Sequence, residues 1–232
     1  SVHMAHIVST GLQRVPLYID MMEKARAKGL DITTELYPYT AGSTAINAGI
    51  FDHDWQSKFS MSYKDIEWPP TGERFTGKKM WDDYREKYPD GLVIIHMMKE
   101  EWIDRAMTHP GIMVASDGMY TTSMEERSHP RGRGTYARIL GRYVREKKLL
   151  SLPDAISKMS YLPAKRLEAF TPMMKRKGRV QVGADADITI FNPVTVIDRA
   201  TFAQPNQYSI GITHVIVAGQ FVVKEETLQN GI

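Results

Sequence analysis

Four residues of this 232-residue chain combine reactive side chains with suggestive positions: His6, His96, Asp117 and Arg131. The run Ile112-Met113-Val114-Ala115-Ser116-Asp117-Gly118 reads as a buried strand that delivers a carboxylate to its C-terminal tip, where glycine turns the chain away. His96 follows the apolar run Leu92-Val93-Ile94-Ile95, and His6 lies near the end of Val2-His3-Met4-Ala5-His6-Ile7-Val8. Imidazole and carboxylate are metal-ligand types. A divalent ion held by such groups lowers the pKa of a bound water and polarises a carbonyl, while a nearby carboxylate carries the proton to a leaving nitrogen. Each residue also has a plainer reading. Aspartate before glycine is common turn chemistry, and a buried histidine is more often a hydrogen-bonded core residue than a ligand.

The elements that must position these groups follow from spacing. Residues 2–8 read as a strand in which His6 shares a face with Val2 and Met4 while His3 points the other way. Leu17, Met21 and Ala25 recur at helical spacing over residues 16–28, with Pro16 suited to the first turn and Gly29 to the stop. A second strand over residues 30–37 ends at Pro38, and the hydroxyl-rich loop beyond it places Tyr37, Tyr39, Ser43 and Thr44 where they can hydrogen-bond a polar ligand. Residues 49–77 form an irregular connection carrying Trp55 and Trp68, as lids and binding loops do. A helix over 78–88, a strand over 92–97, a helix over 100–108 and a strand over 112–116 complete four strand-helix units. Their tips offer His6, Tyr37, His96 and Asp117, and a closed barrel gathers such tips on one rim.

Beyond Asp117, the loop His129-Pro130-Arg131 brings a guanidinium whose planar fork suits a carboxylate. The glycines around Arg133 lack the spacing and the Gly-Lys-Ser/Thr ending of a phosphate loop, which excludes that reading. Helices are expected over 135–148, 153–159 and 163–170, with Ser151 capping the second. From residue 177 the pattern turns to short β-rich segments, 178–183, 186–193 and 214–223, the last a hairpin about Ala218-Gly219. The chain therefore divides into residues 1–176 and 177–232.

Composition narrows the partners. A net charge of +3 with both signs interspersed does not favour nucleic acid or an acidic membrane. No apolar run is long enough to span a bilayer. Cysteine is absent, which removes disulfides, thiolate catalysis and sulfur ligands and fits a cytoplasmic enzyme.

Several stretches together carry a family resemblance: Glu35-Leu36-Tyr37-Pro38-Tyr39-Thr40-Ala41-Gly42-Ser43-Thr44, Ala115-Ser116-Asp117-Gly118, His129-Pro130-Arg131 with Gly134-Thr135-Tyr136, Leu140-Gly141-Arg142-Tyr143-Val144-Arg145-Glu146, and Val182-Gly183-Ala184-Asp185-Ala186-Asp187. They resemble the C-terminal portion of N-acyl-D-amino-acid deacylases, the D-aminoacylase-like members of the amidohydrolase superfamily. The resemblance implies an α/β fold, the C-terminal half of a TIM-like (β/α)8 metallo-hydrolase barrel plus a small β-sandwich, with one or two divalent ions, zinc, as cofactor. It implies an N-acyl amino acid as the small-molecule substrate, His6 as a metal ligand, Asp117 as general base and later acid, and Arg131 as the clamp on the substrate carboxylate. Where family members can carry a second metal-binding histidine this chain has Tyr37, and His96 is the expected substitute. The first-strand His-x-His pair has no counterpart here, so a complementary N-terminal half or a second copy is expected to complete the barrel. Two alternatives stay open: a catalytically silent module for association, and an amidohydrolase acting on cyclic amides or ureas.

Overall fold

The computed structural model describes residues 1–119, 121, 123 and 125–229. Its centre is a parallel sheet of β1 (Val2–Met4), β2 (Ile32–Leu36) and β7 (Ile112–Val114), in the order β1-β2-β7. Val2 pairs with Ile32, and Thr34 with Ile112. Among the described residues the sheet has three strands and does not close on itself. One face carries Met4, Ile32, Leu36, Ile112 and Val114. It packs on α1 (Ile7–Gly11), α2 (Val15–Ala27) and α5 (Glu100–Met107) through Ile7, Ile19, Met22, Ile103 and Met107. The side chains of α2 that do this, Val15, Ile19 and Met22, recur every three to four residues, as one face of a helix requires.

The apolar run after Gly91 is the main departure from the expected topology. It forms β6 (Leu92–Ile95), which pairs antiparallel with β3 (Gly42–Ala45) and with β4 (Ile66–Trp68), and β5 (Glu73–Arg74) completes a separate sheet in the order β3-β6-β4-β5. A continuous apolar run looks the same whether its partners are parallel or antiparallel, so periodicity alone cannot separate the two. The expected four strand-helix units are therefore three. The second sheet, with α3 (Trp55–Phe59) and α4 (Lys78–Lys87), encloses its own aromatic core of Phe51, Trp55, Trp68, Phe75 and Trp81. Residues 49–77 thus contain ordered elements in place of an irregular connection.

Two further expectations change. The first strand stops at Met4, because the chain turns left-handed at His6 (φ 37°) to enter α1, so His6 stands beyond the strand. Residues 178–183 pair with no strand, and Val180 and Val182 lie on the surface. The other assignments stand close to their expected places. The helix opening at Arg131 is α6 (Arg131–Arg138), continued with wider π-type turns over Ile139–Glu146. The stretch beyond it is helical in α7 (Leu152–Ile156), through Ser157–Tyr161, and in α8 (Leu162–Leu167), and Ser151 Oγ accepts the Asp154 N–H at 3.2 Å as an N-cap.

β8 (Ile188–Phe191), β9 (Ile212–Val217), β10 (Gln220–Lys224) and β11 (Thr227–Leu228) form one antiparallel sheet, with Ala218 and Gly219 at positive φ in the hairpin turn between β9 and β10. The last three residues of the 177–232 segment lie outside the described residues. No described helix is long and apolar enough to cross a membrane.

Trp81 is buried and meets Phe51, Trp55 and Phe75 with ring centroids 4.8–6.2 Å apart. Trp81→Ala should destabilise the second sheet by about 3–5 kcal/mol, read as a lowered denaturant midpoint.

Candidate active site

The site begins where β1 ends. A left-handed turn at a non-glycine residue costs roughly 1–2 kcal/mol, so it persists only where neighbours determine it. At His6 they do: its N–H donates to Glu35 Oε1 at 2.6 Å, and its carbonyl accepts from Thr10 N–H at 3.1 Å and Ser9 Oγ at 3.2 Å. Ser9 Oγ also lies 3.1 Å from His6 Nδ1, and it accepts there when the imidazole proton sits on Nδ1. Nε2 then carries a lone pair and faces Asp117 Oδ2 at 3.8 Å. Two acceptors converging at that separation suit a cation between or beside them, and an Nδ1 held by a hydrogen bond is the usual arrangement of a metal-ligating imidazole.

Asp117 follows β7 and also sits in the left-handed region, at φ 49°. Its Oδ2 forms an ion pair with Arg131 NH1 at 2.8 Å. Arg131 is the first residue of α6 and only 2% exposed, with its guanidinium 4.7 Å from the centre of the Tyr37 ring. Its Nε is buried with no hydrogen-bond partner among the described residues. Burial raises the Tyr37 phenol above the ordinary tyrosine value, so it remains a proton donor. His6, Tyr37, Ser43, Thr44, Asp117 and Arg131 line one cleft of about 610 Å³, and its remaining wall is largely apolar, with Ile50, Phe59, Leu92, Ile95 and Met97.

Two expected residues stand apart from it. His96 follows β6 on the antiparallel sheet, where its Nε2–H donates to Glu67 Oε2 at 2.9 Å and its ring packs 4.7 Å from Phe202, so its imidazole does not meet His6. Tyr39 lies behind the cleft wall, packed edge-on to His129 at 5.4 Å and under the Arg138 guanidinium at 4.8 Å. Among the described residues no group of three or more His, Cys, Asp or Glu gathers around a common point. The donors present thus fit as part of a metal site, one imidazole and one carboxylate.

Three residues of the site, Glu35, Ser9 and His129, are not among those the sequence points to. A carboxylate beside Leu36 and two residues before Tyr37 is the available sign of Glu35, since a buried charge needs a partner. His129 is 4% exposed, and both its nitrogens are used. Nε2–H donates to the Ala41 carbonyl at 2.8 Å, and Nδ1 accepts the Arg131 N–H at 3.1 Å. Protonation would set one N–H against another. Burial and the Arg131 charge accordingly push its pKa from 6.5 down to about 3.

Comparison with known proteins gives this geometry a context. Residues 105–223 match the profile of the amidohydrolase family. A D-aminoacylase of Alcaligenes xylosoxydans xylosoxydans is 35% identical over 215 residues, which are 90% of this chain and 42% of that protein. The crystal structure of an N-acyl-D-glutamate deacylase from Bordetella bronchiseptica, complexed with zinc and a phosphonate inhibitor that mimics the tetrahedral intermediate, superposes with a TM-score of 0.71 at 29% identity. It covers 95% of this chain and 46% of that one. A D-aminoacylase crystal structure reaches 0.77 at 28% identity, covering 99% of this chain and 48% of that one. The chain spans less than half the length of each of these relatives.

The His129 pair of hydrogen bonds sets a pH signature. A histidine whose folded pKa is depressed contributes in full above pH 6.5, and the contribution is lost as the pH falls toward about 3, because only the unfolded chain takes up the proton. Unfolding free energy should fall through that window with a contribution of up to about 1.4 kcal/mol per pH unit from this group. In His129→Gln that component of the slope should vanish, as measured by denaturant titrations at successive pH values.

Proposed function

The chain belongs to the amidohydrolase family, and on that premise we propose that it contributes to metal-dependent hydrolysis of the amide bond of N-acyl-D-amino acids. One observation carries the reading: His6 Nε2, Asp117 Oδ2 and the Arg131 guanidinium meet within a single cleft, at 3.8 Å and 2.8 Å. Similarity to proteins named as D-aminoacylase and N-acyl-D-glutamate deacylase supports it. In this reading residues 1–176 supply the C-terminal half of a (β/α)8 barrel and residues 177–232 a small β module of the sandwich kind. A complementary polypeptide portion supplies the remaining strands and metal ligands. The absence of cysteine suits a reducing cytoplasm.

His6 would hold the metal, zinc, through Nε2. The bound ion supplies a water of lowered pKa and a polarised carbonyl. Asp117 takes the proton of the attacking water and returns it to the amide nitrogen as that nitrogen leaves. Arg131 binds the substrate carboxylate, with its ring partner Tyr37 beneath and the Ser43 and Thr44 hydroxyls beside the ligand. Asp117 pairs with the same guanidinium, so a substrate carboxylate arriving there competes with it and frees the base where the water must be deprotonated. The apolar wall of Ile50, Phe59, Leu92, Ile95 and Met97 favours an apolar amino-acid side chain, since Arg131 is the one Lys or Arg among the described residues lining the cleft.

Metal analysis with a panel of N-acyl-D-amino acids tests the proposal. Zinc should co-purify, and N-acyl-D-leucine or N-acyl-D-methionine should be cleaved faster than the N-acyl-D-glutamate analogue. A metal-free protein inactive on the whole panel would mark the chain as a silent module. Arg131→Ala should lower kcat/KM by roughly 10- to 100-fold through the lost charge-assisted contact. Asp117→Asn should lower kcat by about 10²- to 10⁴-fold. Turnover of a cyclic amide unaffected by Arg131→Ala would point to a different substrate class.

A further inference from the structure

Glu35 does more than fill β2. Alternation puts it with His3, Thr33 and Met113 on the face of the parallel sheet turned away from α2 and α5, where it is only 8% exposed. A carboxylate so placed needs a partner for each oxygen. Oε2 accepts from His3 Nε2–H at 2.8 Å, and the other nitrogen of His3, Nδ1, lies 2.8 Å from Thr33 Oγ1. Oε1 accepts the His6 backbone N–H at 2.6 Å, the shortest contact made at that turn. The chain from Thr33 through His3 and Glu35 therefore ends on the backbone of the residue whose imidazole faces Asp117.

We infer that Glu35 is a positioning residue: its carboxylate, braced by His3, locks His6 in the left-handed conformation that aims Nε2 into the cleft. The inference rests on the reading of His6 as a metal ligand. The side chain acts through His6 alone, since it does not line the cleft that holds Asp117 and Arg131. A merely structural carboxylate would need a partner for each oxygen but would gain nothing from ending on that particular N–H. Removing the acceptor lets the turn relax toward ordinary φ values and swings the imidazole away from Asp117.

Three variants of the full chain decide the matter, each read by zinc affinity in chelator competition and by the His6 amide resonance in a ¹⁵N spectrum. In the parent a hydrogen bond this short to a carboxylate should move the His6 amide proton far downfield. Glu35→Leu should return it upfield and weaken zinc binding by about 10- to 100-fold, as loss of an orienting partner does. Glu35→Gln keeps an oxygen acceptor and should restore most of the affinity. A folded Glu35→Leu protein with parental zinc affinity overturns the inference, as does a Glu35→Gln protein no better than Glu35→Leu. Where Glu35→Leu does not fold, Glu35→Asp, one methylene shorter, serves in its place, and an unmoved His6 resonance overturns the inference. A parent chain that takes up no zinc sinks the metal reading by itself; the His6 resonance then decides the role of Glu35 alone.

Discussion

A guanidinium that is 2% exposed at the first turn of a helix is an electrostatic problem, because the helix start already carries partial positive charge. The structure resolves it with the Asp117 carboxylate on one side and the Tyr37 ring on the other, and much else follows from this pairing. Asp117 must leave β7 in a left-handed turn to reach Arg131. His129 secures the helix start by accepting the Arg131 N–H and donating to the Ala41 carbonyl. The strand tip, the loop and the helix start are thus tied at one point. His6 stands against the same carboxylate, so the charge balance of Arg131 also sets the distance across the cleft.

The desolvated setting gives each partner a fixed protonation pattern. Neutral His129 presents one donor and one acceptor, and the buried Tyr37 keeps its phenolic proton. The wall behind Arg131 is therefore a stack of rings, Tyr37, His129, Tyr39 and Phe202, meeting edge to face. Such a wall adds no charge to compete with the guanidinium for an incoming anion.

The sequence points to Asp117 and Arg131 because each stands out locally, one at the end of an apolar run beside glycine, the other in a proline-glycine loop ahead of a helix. The α2, α4 and α5 helices and the hairpin at Ala218-Gly219 were legible for the same reason. What escaped were facts of partnership. Whether Leu92–Ile95 pairs parallel with β2 or antiparallel with Gly42–Ala45 depends on contacts some fifty residues away, and no spacing rule records them. The partner of His96, Glu67, lies 29 residues away on another strand, and spacing does not announce it. His6 carries no glycine to betray its left-handed turn, and the cause of that turn, Glu35, resembles any outward polar residue of a half-buried strand.

The segment that forms the antiparallel sheet begins and ends on neighbouring strands, β3 and β6. Gly42 faces Ile95, and the Met98 N–H reaches the Thr40 carbonyl at 3.0 Å, so the chain enters and leaves side by side. Its aromatic core is separate from that of the parallel sheet, with Met97 packed against both. Changes of length or sequence between those anchors can therefore accumulate without displacing His6, Asp117 or Arg131, although Ile50, Phe59, Leu92 and Ile95 change with them. Reactivity and selectivity sit on separate parts of the chain, so a change in what the cleft accepts does not have to pass through a loss of what the cleft can do.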